Sequence, residues 1–182
     1  KKAGVSMALS WSHSVLFVKN MCEMREFYTR VLGFQVTDEG SIPGNKNIVF
    51  LSQQPNEHHQ LGLIGPRENE GPPTTLAHFA FRVESMAELR DVIGRVENEG
   101  LNYRPTSHGN TWSIYFQDPE GNGIEIFHNT PWHVQQPQGK AWDTSLSNQE
   151  LYAWTERTFQ NEPLFGPREN YEEDRRKKLS SN

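Results

Sequence analysis

The sequence predicts an α+β protein built from two copies of one β-α-β-β-β unit, and three observations carry that prediction. Two amphipathic stripes recur at helical spacing, Met24, Phe27, Tyr28, Val31, Leu32 and then Met86, Leu89, Val92, Ile93, Val96, each closed by a glycine, Gly33 or Gly100. Each stripe follows a short apolar strand that holds one histidine: Ser-His13-Ser-Val-Leu-Phe-Val in the first copy, Ala-His78-Phe-Ala-Phe-Arg-Val in the second. Three strand-like runs then follow each stripe, and self-similarity at this scale points to a duplicated fold.

The elements follow in order. Residues 8–18 form the first strand, with Leu9, Trp11, His13, Val15 and Phe17 on one face. Asn20 with Glu23 three residues on predicts a capping box in which Asn replaces the usual Ser or Thr. Strands are expected at 34–38, 47–52 and 59–64, separated by the turn-forming stretches 41–45 and 55–57. The proline-rich polar stretch 65–75 reads as a linker between repeats 8–64 and 76–128. After the strand 76–83, Ser85 and Glu88 predict a second capping box, and strands are expected at 101–105, 111–116 and 123–128. Asp118-Pro-Glu-Gly-Asn-Gly123 is rich in turn formers, so the last two strands make a hairpin. Residues 129–165 form an aromatic-rich tail with one helix at 147–159, whose Leu151, Tyr152, Trp154 and Phe159 cover a face of the repeat unit or a subunit contact. Residues 166–182 are polar and are expected to be disordered.

Composition narrows the function. A formal net charge of -5, with basic residues clustered only at Arg175–Lys178 behind three acids, argues against nucleic acid. A lone cysteine, Cys22, leaves no internal disulfide and fits a reducing, cytoplasmic setting. No run is long and apolar enough for a membrane span, and no signal-like segment opens the sequence, so a soluble cytoplasmic protein with no membrane partner is expected.

The chemistry lies in the repeat. Superposing the copies puts His13 and His78 at equivalent positions, and sets Glu125 of the closing strand against Gly62. Alternation places Glu125 opposite Ile124 and Ile126, and a buried acid needs a partner or a metal. Two histidines and one carboxylate with a vacant fourth position match the facial set of non-haem Fe(II) enzymes that bind substrate and O₂ together. Zinc hydrolysis through two His and one Glu is the competing inorganic reading.

The duplicated unit with His13, His78 and Glu125 resembles the vicinal oxygen chelate (glyoxalase/bleomycin resistance) superfamily. Within it, Thr106-Ser-His108, five residues, Ile114-Tyr115, two residues, Asp118-Pro119, one residue, Gly121, three residues, Glu125 is similar to the signature of type I extradiol ring-cleavage dioxygenases, here in a single module. The resemblance implies one module folded about a metal cleft with a C-terminal helical tail. It further implies extradiol cleavage of a catechol-type aromatic by O₂, giving a muconic semialdehyde-type product in aromatic compound catabolism. Fe(II), or Mn(II), would be held by His13, His78 and Glu125; His59, or its neighbour His58, would shuttle protons; His108 and Tyr115 would bond the catechol oxygen. A homo-oligomer is expected, since this fold often pairs edge to edge. The alternatives are another metalloenzyme of the superfamily, such as a glyoxalase-like isomerase or a thiol transferase, and a metal-free bleomycin-type binding protein. The former usually needs a ligand where this chain has Gly62, and the latter has no need of the three ligands together.

Overall fold

The computed structural model describes residues 11–54, 58–68 and 76–180. The start of the first predicted strand, the loop 55–57, most of the linker 65–75 and the last two residues lie outside the described residues. The chain divides into two units, Lys1–Thr75 with Asp118–Asn122, and Leu76–Gln117 with Gly123–Asn182.

In the first unit the order is β1 (Ser14–Phe17), α1 (Met21–Arg30), β2 (Gln35–Ile42), β3 (Lys46–Ser52) and β4 (Leu61–Gly65). The sheet runs β1-β4-β3-β2, with β1 parallel to β4 and the other neighbours antiparallel. Helix α1 buries Met24, Phe27 and Tyr28, the predicted stripe, and Leu16, Val18, Leu51, Leu61 and Leu63 are buried in the same unit. Gly33 takes φ of 77°, the left-handed conformation that ends a helix without a Cβ clash.

The N-terminus of α1 departs from the expected box. Asn20 Oδ1 accepts the Glu23 N–H at 3.2 Å, as predicted. The Asn20 N–H, which a capping box would give to Glu23, instead donates to Glu120 Oε1 at 2.9 Å, alongside the Lys19 N–H. Arg67 donates Nε and Nη2 to the other oxygen of Glu120, at 3.1 and 3.0 Å, and both side chains of this ion pair are largely shielded from water. A carboxylate distant in sequence therefore satisfies the orphan amide that a local partner usually takes.

The second unit repeats the order as β5 (Phe79–Arg82), α2 (Met86–Asn98), β6 (Arg104–Ser107), β7 (Thr111–Gln117) and β8 (Gly123–Asn129). Its sheet runs β5-β8-β7-β6, again with the first strand parallel to the last. Ser85 and Glu88 form the complete capping box, and α2 buries Met86, Leu89, Ile93 and Val96. Ile114, Ile124 and Ile126 are buried in the sheet below.

The tail continues with β9 (Trp132–His133), α3 (Asn148–Phe159), β10 (Gly166–Pro167) and α4 (Arg168–Ser180), β9 pairing antiparallel with β10. Ser147 caps α3 through a second complete box with Glu150, and the helix buries Leu151, Thr155 and Phe159. The Trp112 indole N–H donates to Thr155 Oγ1 at 2.8 Å and the Trp142 indole N–H to the Ser113 carbonyl at 3.0 Å, so the tail covers the second repeat as one of the two expectations had it.

Val15 and Phe17 of β1 are exposed, and the core takes Leu16 and Val18 from the other face. One expectation is corrected. Residues 168–180, expected to be disordered, are helical. Polar composition conceals the anchors that pin the first turn: Arg168 donates its Nε–H to the Thr130 carbonyl at 2.8 Å and its backbone N–H to the Pro131 carbonyl at 2.9 Å, and Tyr171 stacks on His133 at 3.6 Å. With the nucleus fixed by tertiary contacts, propagation needs little intrinsic apolarity.

Candidate functional site

Strand register in the second unit brings the predicted groups together. Parallel pairing sets Ala80 against Glu125, and antiparallel pairing sets Tyr115 against Glu125, so one position of β8 has a neighbour on each side. His78, two residues before Ala80, reaches Glu125 with its Nε2 3.3 Å from Oε2. Close approach at the start of β8 depends on Gly123. A Cβ there would lie 2.4 Å from the Ala77 carbonyl oxygen and 3.1 Å from His78 Cβ.

Tyr115 and His108 complete the group. The His78 ring meets the Tyr115 ring edge-on at 5.5 Å, and His108 Nε2 lies 2.8 Å from the Tyr115 hydroxyl. Burial pushes the Tyr115 pKa well above its ordinary value, the hydrogen bond and charge of Glu125 push the same way, and Arg104 opposes them weakly. Tyr115 is therefore a neutral phenol at physiological pH. His108 Nδ1 lies 2.5 Å from the Gln138 carbonyl oxygen, which can only accept, so Nδ1 carries the proton. The one phenol proton can go to Glu125 or to Nε2 of neutral His108, and in the second case the phenol oxygen is left free to accept from a ligand hydroxyl. In protonated His108, Nε2–H donates to Tyr115 and the phenol O–H turns to a ligand oxyanion. The pair can thus serve a hydroxyl or its conjugate base. His78, Arg104, Thr106, His108 and Tyr115 line one cavity of about 510 Å³, within the range of small-molecule pockets.

In the first unit His13 and His59 are brought together, their ring centroids 4.2 Å apart, and His59 packs 4.7 Å from Phe50. Ser12 Oγ lies 3.0 Å from His13 Nδ1. His58 Nδ1 is 3.0 Å from His59 Nδ1, while its Nε2 turns toward Asp38 at 3.9 Å, so His59 rather than His58 contacts His13.

Among the described residues no three His, Cys, Asp or Glu side chains form a group that could hold a metal. The second unit offers two of the three predicted donors, His78 and Glu125. Their surroundings fit a divalent cation: the Glu125 side chain is 12 % exposed, and among the described residues its one ion-pair partner is His78, with no Lys or Arg. A buried carboxylate that pairs with an imidazole and with no Lys or Arg has room for a metal as its counter-charge, although Arg104 lies over the Tyr115 ring nearby.

Two groups were not legible in the sequence. Gln136 and Gln138, which brace His108, lie in the irregular tail, and no spacing links them to it. The Arg67–Glu120 pair joins a linker residue to a turn residue, again without a local signal.

With this fold and site, residues 10–126 match the model of the Glyoxalase/Bleomycin resistance protein/Dioxygenase superfamily, and the chain belongs to that family. Among curated relatives it is 34% identical over 121 residues to biphenyl-2,3-diol 1,2-dioxygenase 3 of Rhodococcus globerulus, covering 63% of this chain and 60% of that protein. It is 28% identical over 163 residues to biphenyl-2,3-diol 1,2-dioxygenase 2 of the same organism, covering 80% and 83%. The chain thus spans less than two thirds of the first relative's length. The glyoxylase/bleomycin resistance protein/dioxygenase domain from Frankia sp. EAN1pec superposes with a TM-score of 0.59 at 21% identity, over 69% of this chain and 100% of that one, a likeness of fold.

Proposed function

We propose that this chain is an extradiol dioxygenase that opens a catechol-type ring with O₂ at an Fe(II) centre, giving a muconic semialdehyde-type product. The observation that carries the reading is the cluster of the His78–Glu125 pair with Tyr115 and His108 in one unit, three of these four lining one cavity. The two relatives named as biphenyl-2,3-diol dioxygenases support the same substrate class.

His78 and Glu125 would hold the metal from the second unit. His13 is assigned as the third ligand on the repeat argument: it stands two residues before Val15, which pairs with Gly62, as His78 stands two residues before Ala80, which pairs with Glu125. When bound, Fe(II) or Mn(II) supplies a centre that holds both catechol oxygens beside O₂ and conducts electron density from ring to oxygen.

The chain's own groups orient the substrate and manage protons. Tyr115 accepts from the incoming catechol hydroxyl while its own O–H rests on His108 Nε2, and after deprotonation the pair turns to donate to the oxyanion. His59 is assigned to take the other hydroxyl proton and return it during ring opening, since imidazole exchanges protons near neutral pH. Gly62 offers no ligand, so a metal held by His13, His78 and Glu125 would keep room for the catechol and O₂.

The test is an anaerobic preparation loaded with Fe(II), mixed under air with a panel that includes biphenyl-2,3-diol, alkyl catechols and carboxylated catechols. A yellow product with one O₂ consumed per ring is expected, with loss of both iron and turnover in His13→Ala, His78→Ala and Glu125→Gln. Iron binding without oxygen uptake on any catechol would overturn the reading.

A further inference from the structure

His108 is gripped from the side away from Tyr115 by the segment after β9. Its Nδ1–H donates to the Gln138 carbonyl. That carbonyl is in turn aimed by the Gln136 side chain, whose Oε1 accepts the Gln138 N–H at 3.0 Å while its Nε2 donates to the His108 carbonyl at 2.8 Å. One amide therefore ties the histidine's backbone to the residue whose carbonyl is the acceptor for the histidine's ring. The segment is held on both flanks. Lys140 exchanges two backbone hydrogen bonds with Ser107, at 2.7 and 2.9 Å, and a Cβ on Gly109 would lie 2.5 Å from Val134 Cγ1.

We infer that Gln136 is a positioning residue of the site: through the Gln138 carbonyl it fixes the Nδ1–H tautomer of His108, so that Nε2 is kept as the acceptor for the Tyr115 hydroxyl. The inference rests on the reading above, in which His108 and Tyr115 face the substrate. A free imidazole populates both neutral tautomers. The Nε2–H form would aim a donor at the Tyr115 oxygen and turn the phenol O–H round, so that an incoming catechol hydroxyl would meet a donor instead of an acceptor. The lock selects the starting arrangement, and it comes from the tail, outside the duplicated units that carry the family resemblance.

The experiment uses the isosteric, apolar variant Gln136→Met in the full chain, with Gln136→Ala as a second. Ring nitrogen NMR shifts of His108, read on protein freed of paramagnetic ions, report the tautomer directly. The wild type is expected to show Nδ1–H alone. Both variants are expected to show a mixture of tautomers, with the melting temperature unchanged, and the iron-loaded forms are expected to lose about tenfold in kcat with little change in KM. A Gln136→Met protein that keeps the pure Nδ1–H signature overturns the inference whatever its activity. So does a mixture that leaves kcat untouched. A His108→Ala protein with normal turnover would instead overturn the reading of the site, while the tautomer measurement on Gln136→Met would still stand.

Discussion

At the scale of single residues, the site depends on side chains whose neighbours set their protonation. Tyr115 keeps its proton because burial and Glu125 both disfavour a phenolate. The folded chain therefore holds a proton that the unfolded chain releases above about pH 10, and stability falls as pH rises past that point. Tyr115→Phe is expected to remove one late-ionising group from the ultraviolet titration and to flatten the loss of melting temperature between about pH 9 and 11. Tyr115 and His108 were legible as a pair because their spacing within one short stretch fits strand and turn. Gln136 was not, since its hold on His108 spans 28 positions through space. Glu125 was legible as an acid opposite Ile124 and Ile126, and both faces of that strand are indeed buried.

At the scale of elements, the order of strands and helices could be read because periodicity and caps are local signals, and both helical stripes end at the expected glycines. What could not be read was how the ends are held. Helix α1 borrows Glu120 for its first turn, and Glu120 is neutralised by Arg67 with both side chains largely shielded from water. Removing one partner leaves the other charge buried and alone. Glu120→Ala is expected to destabilise the chain by about 3–5 kcal/mol in urea unfolding, and Arg67→Met added to it should recover much of that loss. Helix α4 makes the same point from the other side: its sequence predicts no structure, and its helix follows from contacts of Arg168 and Tyr171 with residues of the preceding tail.

At the scale of the whole molecule, duplication explains both the likeness and the difference between the units. The two sheets share strand order and pairing, yet the matched cross-strand pairs are Val15 with Gly62 and Ala80 with Glu125. The larger side chain has changed strands. In the first unit Val15 fills the room that an acid would need, since a Cβ on Gly62 would lie 3.2 Å from Val15 Cγ2. Gly62→Glu is therefore expected to destabilise by about 1–3 kcal/mol through overpacking, and Val15→Ala should relieve most of it in the double variant, measured by thermal unfolding. The sequence showed the vacancy at Gly62 but not its cause, because Val15 and Gly62 become neighbours only through parallel pairing. Among the described residues no helix is long and apolar enough to cross a membrane.

Gly123 carries a consequence of its own. It contributes no functional group, yet the missing side chain lets the backbone before His78 come against the first residue of β8. The seam between those strands is the ruler for the gap from imidazole to carboxylate. Any side chain at that point would act as a shim, widening the gap while leaving both groups in the sequence, so the spacing on which the proposed metal site relies is calibrated by an atom the chain does not have.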